Sequence, residues 1–176
     1  MVESTLDGDS VTDRGTKLTP LATATATIDF LTREGPGIVD AAESTLGRMH
    51  AHHYEGAGAL EVRRRLDTLF DRLVESLTTQ DLGPILTRAR EIAHERFSSG
   101  YDLVEVQTAF SALEAAIWTR VFAALKPDQF AQTLGLVSTI LGAGKDALAR
   151  EYVSLATNAH APSLDLRALF AGTAGV

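Results

Sequence analysis

The sequence contains few side chains of the types and spacings that catalysis or metal binding requires. Glu91 and His94 form its single E-x-x-H pair, a spacing that places a carboxylate and an imidazole on one face of a helix, as in di-iron bundles. Such a centre needs a second E-x-x-H pair and two more inward glutamates, and the sequence has no second pair. We therefore predict that Glu91 and His94 form a surface pair and that the chain has no metal centre.

The remaining histidine patterns are weak candidates for ligands. The cluster of His50, His52 and His53 lies in a polar connection, where it could bind a divalent ion adventitiously; a solvent-facing helix end is the favoured interpretation. His94 is the candidate for an axial haem ligand, because it falls in mid-helix beside apolar residues. A single helical histidine is more often structural, so we expect no cofactor.

Composition and missing motifs exclude several classes of function. There is no cysteine, no G-x-S-x-G and no glycine-rich phosphate loop between a strand and a helix. Sixteen Lys and Arg residues against 23 Asp and Glu residues give a net charge of −7, the wrong sign for nucleic acid. The acidic start lacks a secretory pattern, and no apolar run reaches the ~20 residues of a membrane span. We expect a cytoplasmic protein that is not an enzyme and binds neither nucleic acid nor membrane.

The hydrophobic pattern predicts an all-α bundle of five to six helices. We expect a disordered N-terminal arm over residues 1–19, a helical domain over 20–157, and a tail over 158–176 that contains a short helix. Pro20 favours a first helix, although Ala22–Thr27 alternates like a strand. Gly35, Pro36 and Gly37 then predict a break before a second helix that ends at the histidine cluster. Further helices are predicted at 59–80, from an Asp81 cap to 98, at 103–125 and at 127–157.

Two of these helices carry more apolar surface than one buried face requires. In the 103–125 helix, Leu113 and Val121 mark one stripe while Leu125 belongs to a second, and the last helix is apolar around most of its circumference. A helix of this kind is either central in its domain or shared between subunits, and both interpretations fit. The residues that we expect at a homodimer interface are Ile117, Trp118, Phe122, Leu136 and Ile140.

Three glycines interrupt the last predicted helix. Gly135, Gly142 and Gly144 each cost ~1 kcal/mol relative to alanine in a helix interior. Gly144 shares the apolar stripe of Leu141 and Leu148, which favours a tight crossing with another helix; a hinge in the last helix is the alternative.

The segment RFSSGYDLVEV, from Arg96 to Val106, leads into a helix with Ala109, Phe110 and Leu113. It resembles the N-terminal domain of RsbRD-type co-antagonists, the RsbT-binding proteins of bacterial stressosomes. In that family an R-x-x-x-G-[YF]-[SD]-L-x-E-V turn enters a helix that continues x-x-A-[FL]-x-x-L. The residues that shape the turn are Arg96, Gly100, Tyr101, Asp102 and Glu105, and the last two also have the spacing of a capping box.

The resemblance implies a regulatory or sensory interaction module of bacterial stress signalling with a non-haem, globin-like helical architecture. Such modules dimerise and pass a signal to an attached STAS domain or to a helix-turn-helix regulator of the PucR kind. Only 19 residues follow Thr157, so we expect either a fragment or a stand-alone module that acts on a STAS, kinase or regulator partner in trans. A globin-like carrier of haem or another small molecule is the alternative.

Overall fold

The computed structural model describes residues 20–49, 58–101 and 103–160, and these residues form five helices and no strand. The predicted all-α bundle is confirmed, as is the helical interpretation of the stretch after Pro20. The predicted arm, the histidine cluster and the short helix of the tail lie outside the described residues. The helices are α1 (Pro20–Met49), α2 (Ala59–Thr79), α3 (Gly83–Ser98), α4 (Leu103–Ala124) and α5 (Pro127–His160).

Amphipathic spacing explains why α2 forms and which face it buries. Leu66, Leu69 and Leu73 recur at helical intervals and are at most 1% exposed. Arg72 and Glu75 lie on the outer side and pair with each other. The single apolar stripe packs against α1 and α3, which is the arrangement that a 3.6-residue period predicts.

The predicted break at Gly35-Pro36-Gly37 is wrong, because α1 continues through all three residues. Proline in a helix interior costs ~3 kcal/mol through a lost hydrogen bond and a ring clash. A Cβ on Gly35 would lie 2.8 Å from Phe70 Cε1, so the glycine lets α1 approach α2 closely. Apolar side chains on both sides of Pro36 are buried in the core, and their burial offsets the cost of the proline. These side chains are at most 2% exposed: Phe30, Leu31, Ile38, Val39, Ala42 and Leu46.

Two other helix ends differ from the prediction by a few residues. Leu82, not Asp81, occupies the N-cap position of α3, although Asp81 Oδ1 accepts a hydrogen bond from the Gly83 N–H at 3.0 Å. The last helix continues to His160 and does not end at Thr157. Neither proline nor glycine follows Thr157 within the helix, so the chain there has no strong helix breaker.

Helices α4 and α5 run antiparallel. Phe110, early in α4, packs at Gly144 of α5, whereas Phe122, late in α4, meets Phe130 edge to face near the start of α5. Helix α3 lies along much of α5, and α1 packs on α2 and α4. Among the described helices, none combines the length and apolarity that a bilayer-spanning segment requires.

Gly144 sets the closest approach of α5 to its neighbours. A Cβ there would lie 2.9 Å from Phe110 Cε1 and 3.0 Å from Ile85 Cγ1, and both side chains are fully buried. The predicted tight crossing is therefore confirmed. Gly135 and Gly142 have no described atom within 4 Å of such a Cβ, so only Gly144 of the three brings α3, α4 and α5 together.

We expect Gly144→Ala to destabilise the chain even though alanine is the better helix former. An added methyl group in a closed helix crossing costs about 1–3 kcal/mol of stability, which outweighs the gain in helix propensity. A net loss of about 1 kcal/mol in the free energy of unfolding lowers Tm by about 2–4 °C. Gly142→Ala is the matched control and should raise Tm. Thermal unfolding followed by circular dichroism measures both, and an equal rise in the two variants would contradict the crossing.

Candidate functional site

The turn between α3 and α4 closes with a defined helix cap. Ser99 occupies the C-cap position, and Gly100 follows with a φ of +78°. The Gly100 N–H donates to the Phe97 carbonyl at 3.1 Å, and the Tyr101 N–H donates to the Arg96 carbonyl at 3.1 Å. These two bonds form a Schellman motif, whose left-handed residue favours glycine. The R-x-x-x-G-Y spacing therefore specifies where the chain leaves α3.

Aromatic side chains connect this turn to α5. The Arg96 guanidinium carbon lies 4.7 Å from the centroid of the Tyr101 ring, which is a cation–π contact. The Tyr152 hydroxyl of α5 donates a hydrogen bond to the Tyr101 carbonyl. Its ring meets Phe97 edge to face with centroids 5.3 Å apart. A movement of the C-terminal part of α5 would thus pull on the α3–α4 turn.

The structure brings together three of the five residues that the resemblance assigns to the turn. Arg96 and Tyr101 contact each other through a backbone hydrogen bond and the cation–π pair, and Gly100 provides the left-handed residue of the same cap. Asp102 lies outside the described residues, and Glu105 belongs to the first turn of α4. The capping box formed by these two acidic residues stays a prediction.

A cavity of about 40 Å³ lies behind the turn, between α2, α3, the first half of α4 and Leu46 near the end of α1. Its wall contains three arginines, Arg65, Arg88 and Arg96, and one carboxylate, Glu95, beside many apolar side chains. Arg88 and Arg96 are 8% and 9% exposed, which is unusual for arginine. Arg88 Nη1 donates to Glu91 and to Glu95, both at 3.1 Å. The buried positive charge at this wall is therefore paired with carboxylates near the surface, Glu91 and Glu95 for Arg88 and Glu61 for Arg65.

The arginine run of α2 forms pairs along its own helix, and Arg63 also pairs with Asp40 and Glu43 of α1. Arg64 and Arg65 lie 2.8 and 2.7 Å from Glu61, and Arg63 lies 3.3 Å from Asp67. The hydrogen bond from Arg64 lowers the pKa of Glu61 to about 2, opposed by desolvation and helped by the charge of Arg65. The run is therefore paired with carboxylates, and Arg65 also reaches the cavity.

Three aromatic rings form a second feature, which we call the aromatic surface: Trp118, Phe122 and Phe130. Trp118 and Phe122 are 40% and 54% exposed. The ring centroids lie 6.2 Å apart for Trp118 and Phe122 and 5.0 Å apart for Phe122 and Phe130, both edge to face. Large exposed rings in a contiguous group are typical of interaction surfaces. The apolar excess predicted for α4 therefore lies at its C-terminal half.

The five residues predicted for the interface fall into three environments. Trp118 and Phe122 belong to the aromatic surface. Ile117 is fully buried in the core, so it has no surface to offer a partner in this packing. Leu136 and Ile140 line an open groove beside the α2–α3 turn, and Ile140 is only 6% exposed.

The E-x-x-H pair does not form a site. Glu91 binds Arg88, while His94 Nε2 lies 3.0 Å from Glu151 Oε1 with a side chain 58% exposed. His94 is not among the residues that line the cavity. Within residues 20–49, 58–101 and 103–160, no three His, Asp or Glu side chains are grouped to hold a metal ion.

Sequence reasoning identified Arg96 as a turn residue but missed its burial, and it missed Arg88 and the role of Tyr152. Arg88 and Arg96 share a helix face with Ile85 and Ile92, at intervals of three and four residues. A charged residue on an apolar stripe was the available signal. Tyr152 lies at helical spacing from Leu148 and Leu155, and nothing local points to an acceptor on a distant turn.

Comparison with known families and proteins gives one match. The family model described as the RsbT co-antagonist protein rsbRD N-terminal domain matches residues 23–168. The match includes the α3–α4 turn, the cavity and the aromatic surface. A comparison with curated proteins found no match.

We expect Tyr152→Phe to loosen the α3–α4 turn without disturbing the core. The change removes the hydrogen bond to the Tyr101 carbonyl but keeps the ring against Phe97, so it should cost about 1 kcal/mol and lower Tm by about 2–4 °C. Ser99→Ala is the control, because the Ser99 hydroxyl donates to the Glu95 carbonyl at the end of α3 and not to α5 among the described residues. Thermal unfolding that shows equal Tm values for Tyr152→Phe and the wild type would refute this coupling.

Proposed function

The chain belongs to the RsbRD N-terminal domain family, which is a family of stressosome-type stress signalling, and from that premise we propose that it is a dimeric sensory module. In this proposal the module works in the cytoplasm without catalysis of its own. It passes a signal to a STAS, kinase or regulator partner in trans by a rearrangement of α4 and α5.

The aromatic surface is the observation that carries the proposal of a dimer. The charged side chains of α4 that the structure describes are already used within the chain. Glu114 accepts hydrogen bonds from Ser138 at 2.8 Å and from Lys145 at 2.7 Å, and Arg120 lies 3.7 Å from Glu34. The outer face of α4 is thus left to apolar and small residues, whose desolvation costs little.

The spacing along that outer face favours a second copy of the chain as its partner. Val104, Ser111, Ala115, Trp118 and Phe122 are all exposed. The last four follow the three- and four-residue steps of a coiled-coil seam, and Val104 lies seven residues, one heptad, before Ser111. The small residues Ser111 and Ala115 lie at the middle, and the large residues lie toward the ends. An antiparallel α4–α4 contact about a twofold axis would place Val104 of one copy opposite Phe122 of the other. Such a self-complementary pattern suits an isologous interface.

The same helix pair supports a route for the signal. Helix α4 carries the proposed dimer face, begins at the α3–α4 turn, and packs along α5. Tyr152 links α5 to that turn. A ligand or partner that prefers one arrangement of α4 and α5 would shift the population of dimer geometries in proportion to its difference in affinity for the two. Bistable interfaces of packed helices are a common form of such a switch.

We expect charge on the aromatic surface to split the dimer. Phe122→Glu and Trp118→Glu would each place an unpaired carboxylate in an apolar contact, which costs several kcal/mol, so light scattering after gel filtration should give the mass of one chain. Leu60→Glu is the matched control, because Leu60 is 86% exposed on α2 and should leave the mass of two chains. A wild-type chain that elutes as a monomer, or a Phe122→Glu variant that keeps the wild-type mass, would overturn the interface.

The signalling part of the proposal is tested in the host cell with the same variants. Deletion of the gene should alter the activity of a general stress-response reporter after stress. Complementation with wild type or Leu60→Glu should restore the response, and complementation with Phe122→Glu should not. A reporter activity after stress that is the same with and without the gene would contradict a role in stress signalling.

A further inference from the structure

The cavity behind the α3–α4 turn is charged on one side and apolar on the other. Its charged wall comes mainly from α3, which contributes Arg88 and Arg96. Its apolar wall includes Leu66 and Leu69 of α2 and Phe110 of α4, and all three are at most 1% exposed. A wall of this composition suits a molecule with an anionic head and a hydrocarbon body.

Arg88 leaves part of its guanidinium group unsatisfied. Its Nη1 is used by Glu91 and Glu95. Its Nε has almost no solvent contact, and no described residue accepts a hydrogen bond from it. A buried N–H without an acceptor is rare and costly. An oxygen atom of a bound molecule at this position would satisfy it.

The neighbouring arginines reinforce the preference for an anion. Arg65 Nε lies 2.7 Å from Glu61 Oε1, but it is buried and the pair lacks the alignment of a hydrogen bond. The Arg96 guanidinium lies over the Tyr101 ring. The carboxylates of Glu61, Glu91 and Glu95 pair with Arg65 and Arg88. The attraction for an oxyanion therefore comes from the buried Nε–H groups of Arg65 and Arg88, which have no hydrogen-bond acceptor among the described residues.

We propose that this cavity binds a short-chain monocarboxylic acid. The carboxylate would accept hydrogen bonds from Arg88 Nε and from the adjacent arginines, because a guanidinium presents planar, paired donors to a carboxylate. The hydrocarbon end would lie against Leu66, Leu69 and Phe110. The space of about 40 Å³ exceeds the ~10–15 Å³ that one water needs, so it holds a molecule of a few heavy atoms. Inorganic phosphate has the charge but would press oxygens against the apolar wall.

Binding at this place would reach the helices that are proposed to carry the signal. Phe110 lines the cavity and also packs at Gly144 of α5, and Arg96 and Tyr101 belong to the α3–α4 turn. The use of the carboxylate as the sensed signal rests on the proposed function. The binding itself does not, so a failure to bind leaves the dimer and the stress-response tests unaffected.

Isothermal titration calorimetry with sodium butyrate tests the proposal on the full chain, with sodium chloride at equal ionic strength and sodium phosphate as competing probes. We expect saturable binding of butyrate and none of chloride or phosphate. Arg88→Gln should weaken binding by about tenfold or more, because a hydrogen bond to a charged group is lost. Arg90→Gln, an exposed position on the same helix, is the matched control and should bind as the wild type does.

A second variant separates loss of binding from loss of folding. Ala109 is half-buried and lines the cavity, so Ala109→Leu should fill the space, keep every arginine and abolish butyrate binding in a chain with a cooperative thermal transition. The proposal is overturned if the wild type does not bind butyrate, if phosphate binds as tightly, or if Arg88→Gln or Ala109→Leu retains wild-type affinity.

Discussion

The close approach of α5 to α3 and α4 at Gly144 is the constraint on which the other features depend. The missing side chain lets Phe110 and Ile85 close over the α5 backbone. Phe110 is thereby fixed between α5 on one side and the arginine-lined cavity on the other. The Tyr152 hydroxyl then ties a later part of α5 to the α3–α4 turn. A change in the position of α5 would consequently move the residues of both the turn and the cavity, because close-packed interiors transmit displacement.

Helix α4 has two roles that its sequence keeps on separate faces. Its inner stripe, with Phe110, Leu113 and Ile117, is fully buried and holds the bundle together. Its outer stripe ends in the aromatic surface, where Trp118 is 40% exposed. The bundle can therefore keep its core while the outer stripe engages a partner, which is the separation that a module acting through association requires.

The sequence predicts the fold well and the sites less well, for physical reasons that differ between residues. Periodicity identified α2 to α5 because their apolar stripes are local patterns. The prediction of a break at Pro36 is wrong because the burial of α1 in the core outweighs the local effect of a helix-breaking residue. The family pattern located the α3–α4 turn, and the structure adds that Gly100 adopts the left-handed conformation of its cap. The arginine-lined cavity could not be foreseen, since its walls come from residues far apart in the chain, as does the hydroxyl bond of Tyr152.

Fluorescence of Trp118, the only tryptophan, tests the central claim that the outer face of α4 meets a second copy. At the highest attainable concentration, acrylamide should quench Trp118 less in the wild type than in Phe122→Glu, and dilution of the wild type should raise its quenching toward that of the variant. Leu60→Glu provides the baseline and should match the wild type. Because Trp118 lies beside Phe122 in each chain, the change of wild-type quenching with concentration separates loss of the dimer from loss of the Phe122 ring. Wild-type quenching that is the same at every concentration would contradict the account.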